Sequence, residues 1–465
     1  MNKNQTPQNR SFRDPSGYVV VEKENVTRFL QKNEGAALLN TCSNSSVVKK
    51  WIENDKLISY SITEDNQSDI VLCHPKIDFP SYPFEWSASM LYSAGELTID
   101  LALDLLEEKK GLKDASAYNI LYKGHNPVFI DLASVEERDE NNPYWLPYSQ
   151  FIRMFILPLY LNRFYNISIN SMLFNNHDGL SYNDCKKIAR RYSLFEISLI
   201  HLPNFLSKYK SSKIYNNHAL KNSELAQFIV KRLLNKAKKQ LKKVRPKHTK
   251  KSNWSTYIHQ LNHYSTNEFE KKCSWVKELV AKIKPEKVLD VGCNTGHFSV
   301  IAAKENAQVL SIDYDETVID MLFNYAKAEK LNILPLVVNI ARPTPPIGWK
   351  NSEYFSFLQR AYNHFDLVMM LAVFHHLLIT DRIPMEEIAD LAAKLTNNYL
   401  IIEFIEQKDP MFSVLTRGRD NLYNHITLDF FKKTFSKDFE FVDETNNSYH
   451  PTRKLLLLKK KSSLT

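Results

Sequence analysis

Two glycines four residues apart mark the segment with the clearest chemistry in this 465-residue sequence, Val288-Leu-Asp-Val-Gly-Cys-Asn-Thr-Gly296. The apolar residues up to Val291 favour a buried strand. Gly292 lets the chain turn at the strand's end, and Gly296 lets the following loop pass a ligand with no Cβ in the way. Asp290 lies two residues before the first glycine, and Cys293 and Asn294 fill the loop. A second acid, Asp313, ends the next apolar run. A carboxylate there, roughly 20 residues after the turn, suits the paired hydroxyls of a ribose. Asn339 ends the third run.

Later runs end in further reactive groups. His375 and His376 follow Phe365-Asp-Leu-Val-Met-Met370. A neutral imidazole suits general-base work near neutral pH, or it simply packs and hydrogen-bonds a loop. Glu403 ends a fifth apolar run, where it would orient a substrate or cap a helix. Arg342 and Trp349 border the stretch Arg342-Pro-Thr-Pro-Pro346 and would hold an anionic or planar group, or belong to an ordered loop. Nearer the N-terminus, Asp114 and Asn119 have D-x-x-x-x-N spacing, and Asp131 follows a small hairpin turning at Lys123-Gly-His-Asn126. That set would hold a base and a metal for phosphoryl transfer.

The elements that must position these groups follow from periodicity. Apolar strands are expected at 287–291, 308–312, 334–338, 365–370 and 399–403, with helices at 297–305, 316–329 and 385–394 between most of them. Alternation of this kind builds a buried parallel sheet whose carboxyl edge holds ligands.

The turn alone fits either a dinucleotide or another nucleoside cofactor. Its D-x-G-x-x-x-G spacing departs from the G-x-G-x-x-G of nicotinamide sites. Together with the strand series it resembles the class I S-adenosylmethionine-dependent methyltransferases over about 270–460. The resemblance implies Asp290 near the methionine amino group, Gly292, Cys293, Asn294 and Gly296 in the cofactor loop, Asp313 on the ribose and Asn339 near adenine. Asn294 stands where a middle glycine is common. A narrower resemblance rests on Asn339-Ile-Ala-Arg-Pro-Thr-Pro-Pro-Ile-Gly-Trp349, Phe374-His-His-Leu377, Ile402-Glu-Phe404 and Asp409-Pro-Met411, with Tyr148-Ser-Gln-Phe151 and Trp254-Ser-Thr-Tyr257 upstream. It is to large bacterial methyltransferases related to nodulation-type proteins. It implies fold and cofactor but names no substrate.

Residues of about 20–200 resemble the protein-kinase and aminoglycoside-phosphotransferase fold, with departures. No glycine-rich loop precedes Asp114, no V-A-x-K lysine is evident, and Leu112 stands where His or Tyr is usual. The expectation is a kinase-like region without phosphoryl transfer. The architecture expected overall is α/β. A Rossmann-like, doubly wound methyltransferase domain (266–465) follows a kinase-like α+β region (1–145) and a helical region with a basic connector (146–265).

Composition bounds the rest. With 43% hydrophobic and 24% charged residues the chain can bury a core. Cys42, Cys73, Cys185, Cys273 and Cys293 form no C-x-x-C pair, so neither a disulfide framework nor a metal site is expected, and a reducing cytoplasm fits. Met1 to Asp14 lacks the apolar core of a signal peptide. The apolar stretch 151–174 carries Arg153 and Arg163 and is not a transmembrane span. The net charge of +9 concentrates between Lys231 and Lys251, a run with no acid. It would meet phosphates or an anionic surface, or form the solvated face of an amphipathic helix, which is the reading adopted. The expected partner is thus a small-molecule or carrier-bound acceptor. The alternative, RNA, would use this run with Trp254 and Tyr257 as stacking platforms, but no RNA-binding module or N-P-P-Y tetrad is present.

Overall fold

The computed structural model describes residues 11, 13–22, 24–65, 69–188, 220–247, 266–445 and 449–462. The chain divides into two compact units, Met1–His248 and Thr249–Thr465. Residues 146–247 therefore share a unit with the N-terminal 145.

In the first unit, strands β1 (Gly17–Val21), β2 (Asn25–Gln31), β3 (Ser61–Asp65) and β4 (Asp69–Pro75) form an antiparallel sheet in the order β1-β2-β4-β3. Helices α1 (Lys32–Ser43) and α2 (Ser46–Glu53) lie between β2 and β3 in sequence. Ser45 caps α2 by accepting the Val48 N–H, which satisfies one of the orphan donors of its first turn. Helix α3 (Ala88–Glu107) is apolar over most of its circumference and buries accordingly. Two small ladders follow. One pairs β5 (Lys110–Leu112) with β8 (Val135–Glu137), and the other is the hairpin of β6 (Ile120–Lys123) and β7 (Asn126–Phe129), turning at Gly124 as its sequence suggests.

Residues 231–243 of the basic run belong to the helix Ser223–Lys243, and 244–247 follow its end. Ala226, Val230, Leu234, Ala237 and Leu241 recur at helical spacing and are buried. Lysines occupy the other face, where Lys231 pairs with Glu107 and Lys238 with Asp100. Trp254 and Tyr257 lie outside the described residues. Among the described residues no helix is long and apolar enough to cross a membrane.

The second unit is built on a seven-stranded sheet, β11-β10-β9-β12-β13-β15-β14. The strands are β9 (Lys287–Val291), β10 (Gln308–Asp313), β11 (Ile333–Val337), β12 (Phe365–Met370), β13 (Thr396–Ile405), β14 (Phe439–Glu444) and β15 (Arg453–Lys460). The first five are parallel, and β15 runs antiparallel between β13 and β14. Val288, Leu289, Leu367, Met369, Leu400, Ile401 and Leu456 are all but inaccessible, as expected for strands covered on both faces. The order reverses between β9 and β12. The loops leaving these two strands diverge there and open a crevice at the carboxyl edge.

Candidate active site

A cavity of about 380 Å³ occupies this crevice. One wall is the loop after β9. Gly292 has φ +69°, and the N–H groups of Gly292 and Cys293 both donate to the Ile312 carbonyl, tying the turn to β10. A Cβ at Gly292 would lie 3.0 Å from Val373. Asn294 takes φ +50°, a left-handed conformation that Asn tolerates better than most residues. Its N–H donates to Asp313 Oδ2 at 3.0 Å, and its Oδ1 accepts from Thr295 N–H at 2.7 Å. Asp313 Oδ1 accepts from Asp315 N–H. Asp313 thus ends β10 as a carboxylate held by two backbone donors on the cavity wall, and burial pushes its pKa up. Asn339, after β11, also lines the cavity, and its Oδ1 accepts the Ala341 N–H.

Two residues of the expected set are not on the cavity wall. Gly296 (φ +83°) faces away from the cavity: a Cβ there would meet Leu322 at 2.3 Å. The glycine gives the turn room beside the helix Glu316–Glu329. Asp290 is also absent from the cavity wall. Its Oδ2 accepts from Ser299 Oγ at 2.6 Å, Ser299 in turn accepts from Ser311, and burial pushes the carboxyl up to about 6. Asp290 therefore braces the floor beneath the loop.

The opposite wall follows β12. His375 and His376 both line it, with ring centroids 4.3 Å apart, at the start of the π-helical turn His376–Thr380. His375 is 5% exposed, and its Nδ1 has no hydrogen-bond partner among the described residues. Burial, then the neighbouring His376, pushes its pKa down to about 3, so the ring is neutral near pH 7. Burial lowers His376 as well. Glu403 lies deeper. It is wholly buried and off the cavity wall, with Oε2 2.7 Å from Lys272 Nζ and Oε1 accepting from Tyr449 OH at 3.1 Å. Arg342 lines the rim, largely exposed and 3.4 Å from Asp381, while Trp349 is 61% exposed and does not reach the cavity.

Lys272 and Arg453, which sequence reasoning missed, complete this wall. Arg453 is buried and grips Asp409 through Nε (2.7 Å) and Nη2 (3.1 Å). A basic residue opening the apolar run Leu455–Leu458 was the available signal, and nothing in the helix around Lys272 set it apart from its neighbouring lysines.

The N-terminal unit brings its three polar candidates together. Asn119 Nδ2 donates to Asp114 Oδ1, Ser134 Oγ donates to the same oxygen, and burial followed by the charge of Asp131 pushes Asp114 up to about 6. The sequence offered no cation for this cluster, yet Arg28 on β2, itself buried, stands 2.9 Å from Asp131 Oδ1. His74, buried on β4, is close enough to feel both charges, and burial keeps its pKa low.

The C-terminal geometry fits a nucleoside cofactor. A left-handed glycine turn opens the loop, Asp313 faces the cavity, and two buried polar atoms on residues lining it, Thr295 Oγ1 and His375 Nδ1, lack partners among the described residues. Residues 263–438 match the family described as methyltransferase domain. Residues 263–438 are thus a methyltransferase domain of the S-adenosylmethionine-dependent kind, and the cavity lies in the same unit. The chain is similar to nodulation protein NoeA of Rhizobium meliloti (strain 1021), 28% identical over 446 residues that cover 93% of this chain and 92% of the relative. Two solved structures are similar as well. Magnesium protoporphyrin IX methyltransferase from Synechocystis PCC 6803 with bound S-adenosylhomocysteine is 19% identical, covering 45% of this chain and 93% of that one, with a TM-score of 0.32. N-methyltransferase NodS from Bradyrhizobium japonicum WM9 is 13% identical, covering 43% and 99%, with a TM-score of 0.31.

Proposed function

We propose that the methyl acceptor is a small molecule, free or held on a carrier, in the cytoplasm, and that His375 receives its proton. The observation that carries this is the neutral, buried imidazole with an unpaired Nδ1 on a residue of the cavity wall. The cofactor, when bound, supplies an electrophilic methyl group on sulfonium. Asp313 holds the ribose hydroxyls, the 292–295 backbone and Asn339 flank the nucleoside, and His376 packs beside His375 to fix the base. Alignment does most of the work in such a transfer, and the imidazole adds proton removal. A cavity of about 380 Å³ lies within the range of small-ligand sites. The RNA reading has less support, because the basic helix spends its apolar face on packing and two of its lysines on ion pairs. The test is methyl-labelled cofactor offered to metabolite extract and to total RNA with the full chain. Label in small molecules is expected. Label confined to RNA would replace this reading.

We infer further that the N-terminal unit is kinase-like and does not transfer phosphate. The Asp114–Asn119 pair and Asp131 support the likeness, and Arg28 supports the loss. A guanidinium on Asp131 competes with a metal ion for the carboxylate that phosphoryl transfer would need. The purified protein should turn over no ATP with magnesium. Magnesium-dependent hydrolysis that vanishes in Asp131→Ala would make the protein bifunctional.

A further inference from the structure

Lys272 is a buried cation on the cavity wall to which nothing above gives a task. Its side chain is 3% exposed, on the helix Thr266–Ile283. The ammonium lies 2.7 Å from Glu403 Oε2 and 5.3 Å from the centre of the Phe298 ring. Tyr449 fixes the other oxygen of Glu403. Desolvating an ammonium is costly, and a purely structural ion pair at such a depth is commonly replaceable by apolar side chains. This pair has a direction: the cation lines the cavity and the carboxylate stands behind it. Arg453 and Asp409 repeat that arrangement on the same wall. The cavity therefore meets the positive ends of two buried pairs.

The position along the sheet selects the anion. Asp313 ends β10, on one side of β9, whereas Glu403 lies two residues before the end of β13, beyond β12 on the other side. A nucleoside anchored at Asp313 must send its 5′ substituent across the loop 292–295 toward Lys272. In S-adenosylmethionine that substituent ends in an amino acid.

We propose that Lys272 Nζ holds the α-carboxylate of the bound cofactor, with Glu403 and Tyr449 setting the ammonium in place. The experiment is titration calorimetry of the full chain with two probes. S-adenosylhomocysteine carries the amino-acid part, and 5′-methylthioadenosine has the same nucleoside without it. Loss of a charge-assisted contact predicts that Lys272→Met weakens the first probe roughly 10- to 100-fold and the second by less than about 2-fold. Asp313→Ala, which removes a contact to the shared ribose, should weaken both. Where the lone buried Glu403 carboxylate prevents Lys272→Met from folding, Lys272→Met/Glu403→Gln removes both charges and should give the same split. Equal weakening of both probes would make Lys272 a structural residue only. Unchanged affinity for both would also overturn the proposal.

Discussion

Asp409→Ala is expected to destabilise the C-terminal unit by about 3–5 kcal/mol, the range for stripping one partner from a buried ion pair. Asp409 and Arg453 are 0% and 3% exposed at their side chains, and both Asp409 oxygens accept from the guanidinium. Thr452 Oγ1 donates to the same carboxylate. Alanine leaves the guanidinium in a low-dielectric wall without its counter-ion, and the Thr452 hydroxyl loses an acceptor. At roughly 2–4 °C per kcal/mol for a unit of this size, the melting temperature should fall by about 10 °C. Denaturant and thermal unfolding of the intact chain measure it. Lys394→Ala supplies the contrast. Its pair with Asp390 is half exposed and screened by water, so it should contribute far less. A loss at Asp409 no larger than that at Lys394 would show that the buried pair is not what holds this wall.

His375→Ala should lower kcat by about 10²- to 10⁴-fold on the acceptor that the labelled-methyl experiment returns, the span usual for a positioned base. Affinity for S-adenosylhomocysteine should stay within about 2-fold, because the lost group acts on the acceptor. The pH profile adds a second readout. A group whose pKa is pushed down to about 3 is already in its neutral, proton-accepting form at every pH above that value. Activity should consequently show no protonation step from His375 between pH 5 and 8. A fall in kcat through pH 6.5 that disappears in His375→Ala would mean that the imidazole is far less desolvated than its burial implies. A kcat loss below about 5-fold would remove it as the base, since even weak general catalysis exceeds that.

Much of the sheet was legible because buried parallel strands leave an unbroken apolar signature. The five runs from Val288 to Glu403 and the helices between them fall within a few residues of their expected places. The hairpin of β14 and β15 was not singled out. Phe439–Glu444 alternates weakly and carries three acids, so it lacks the signature of a covered strand. Cofactor-loop residues were legible as a group but not individually. The partners of Gly296 and Asp290 in the fold, Leu322 and Ser299, lie too far along the chain or too anonymously within it to be read. Glu403 was found for being an acid at a strand end. Its partner Lys272 lies 131 residues earlier, and only folding reveals that the pair faces inward. Arg28 lies farther still from expectation, because a cation on a strand gives no hint of an aspartate 103 residues away.

The place of β15 in the sheet has a consequence for biosynthesis. Emerging from the ribosome, β9 to β13 can assemble in sequence order, each run adding to an edge already present. β14 cannot: among the described residues its ladder is with β15, which is made after it and inserts between it and β13. Until β15 arrives, β13 presents an open apolar edge, a template for misassociation with other chains. The same strand delivers Arg453 to the cavity. The cavity wall is thus complete only once β15 has been made, and a chain stalled or clipped just short of Arg453 would carry the entire glycine loop and still lack this part of the wall.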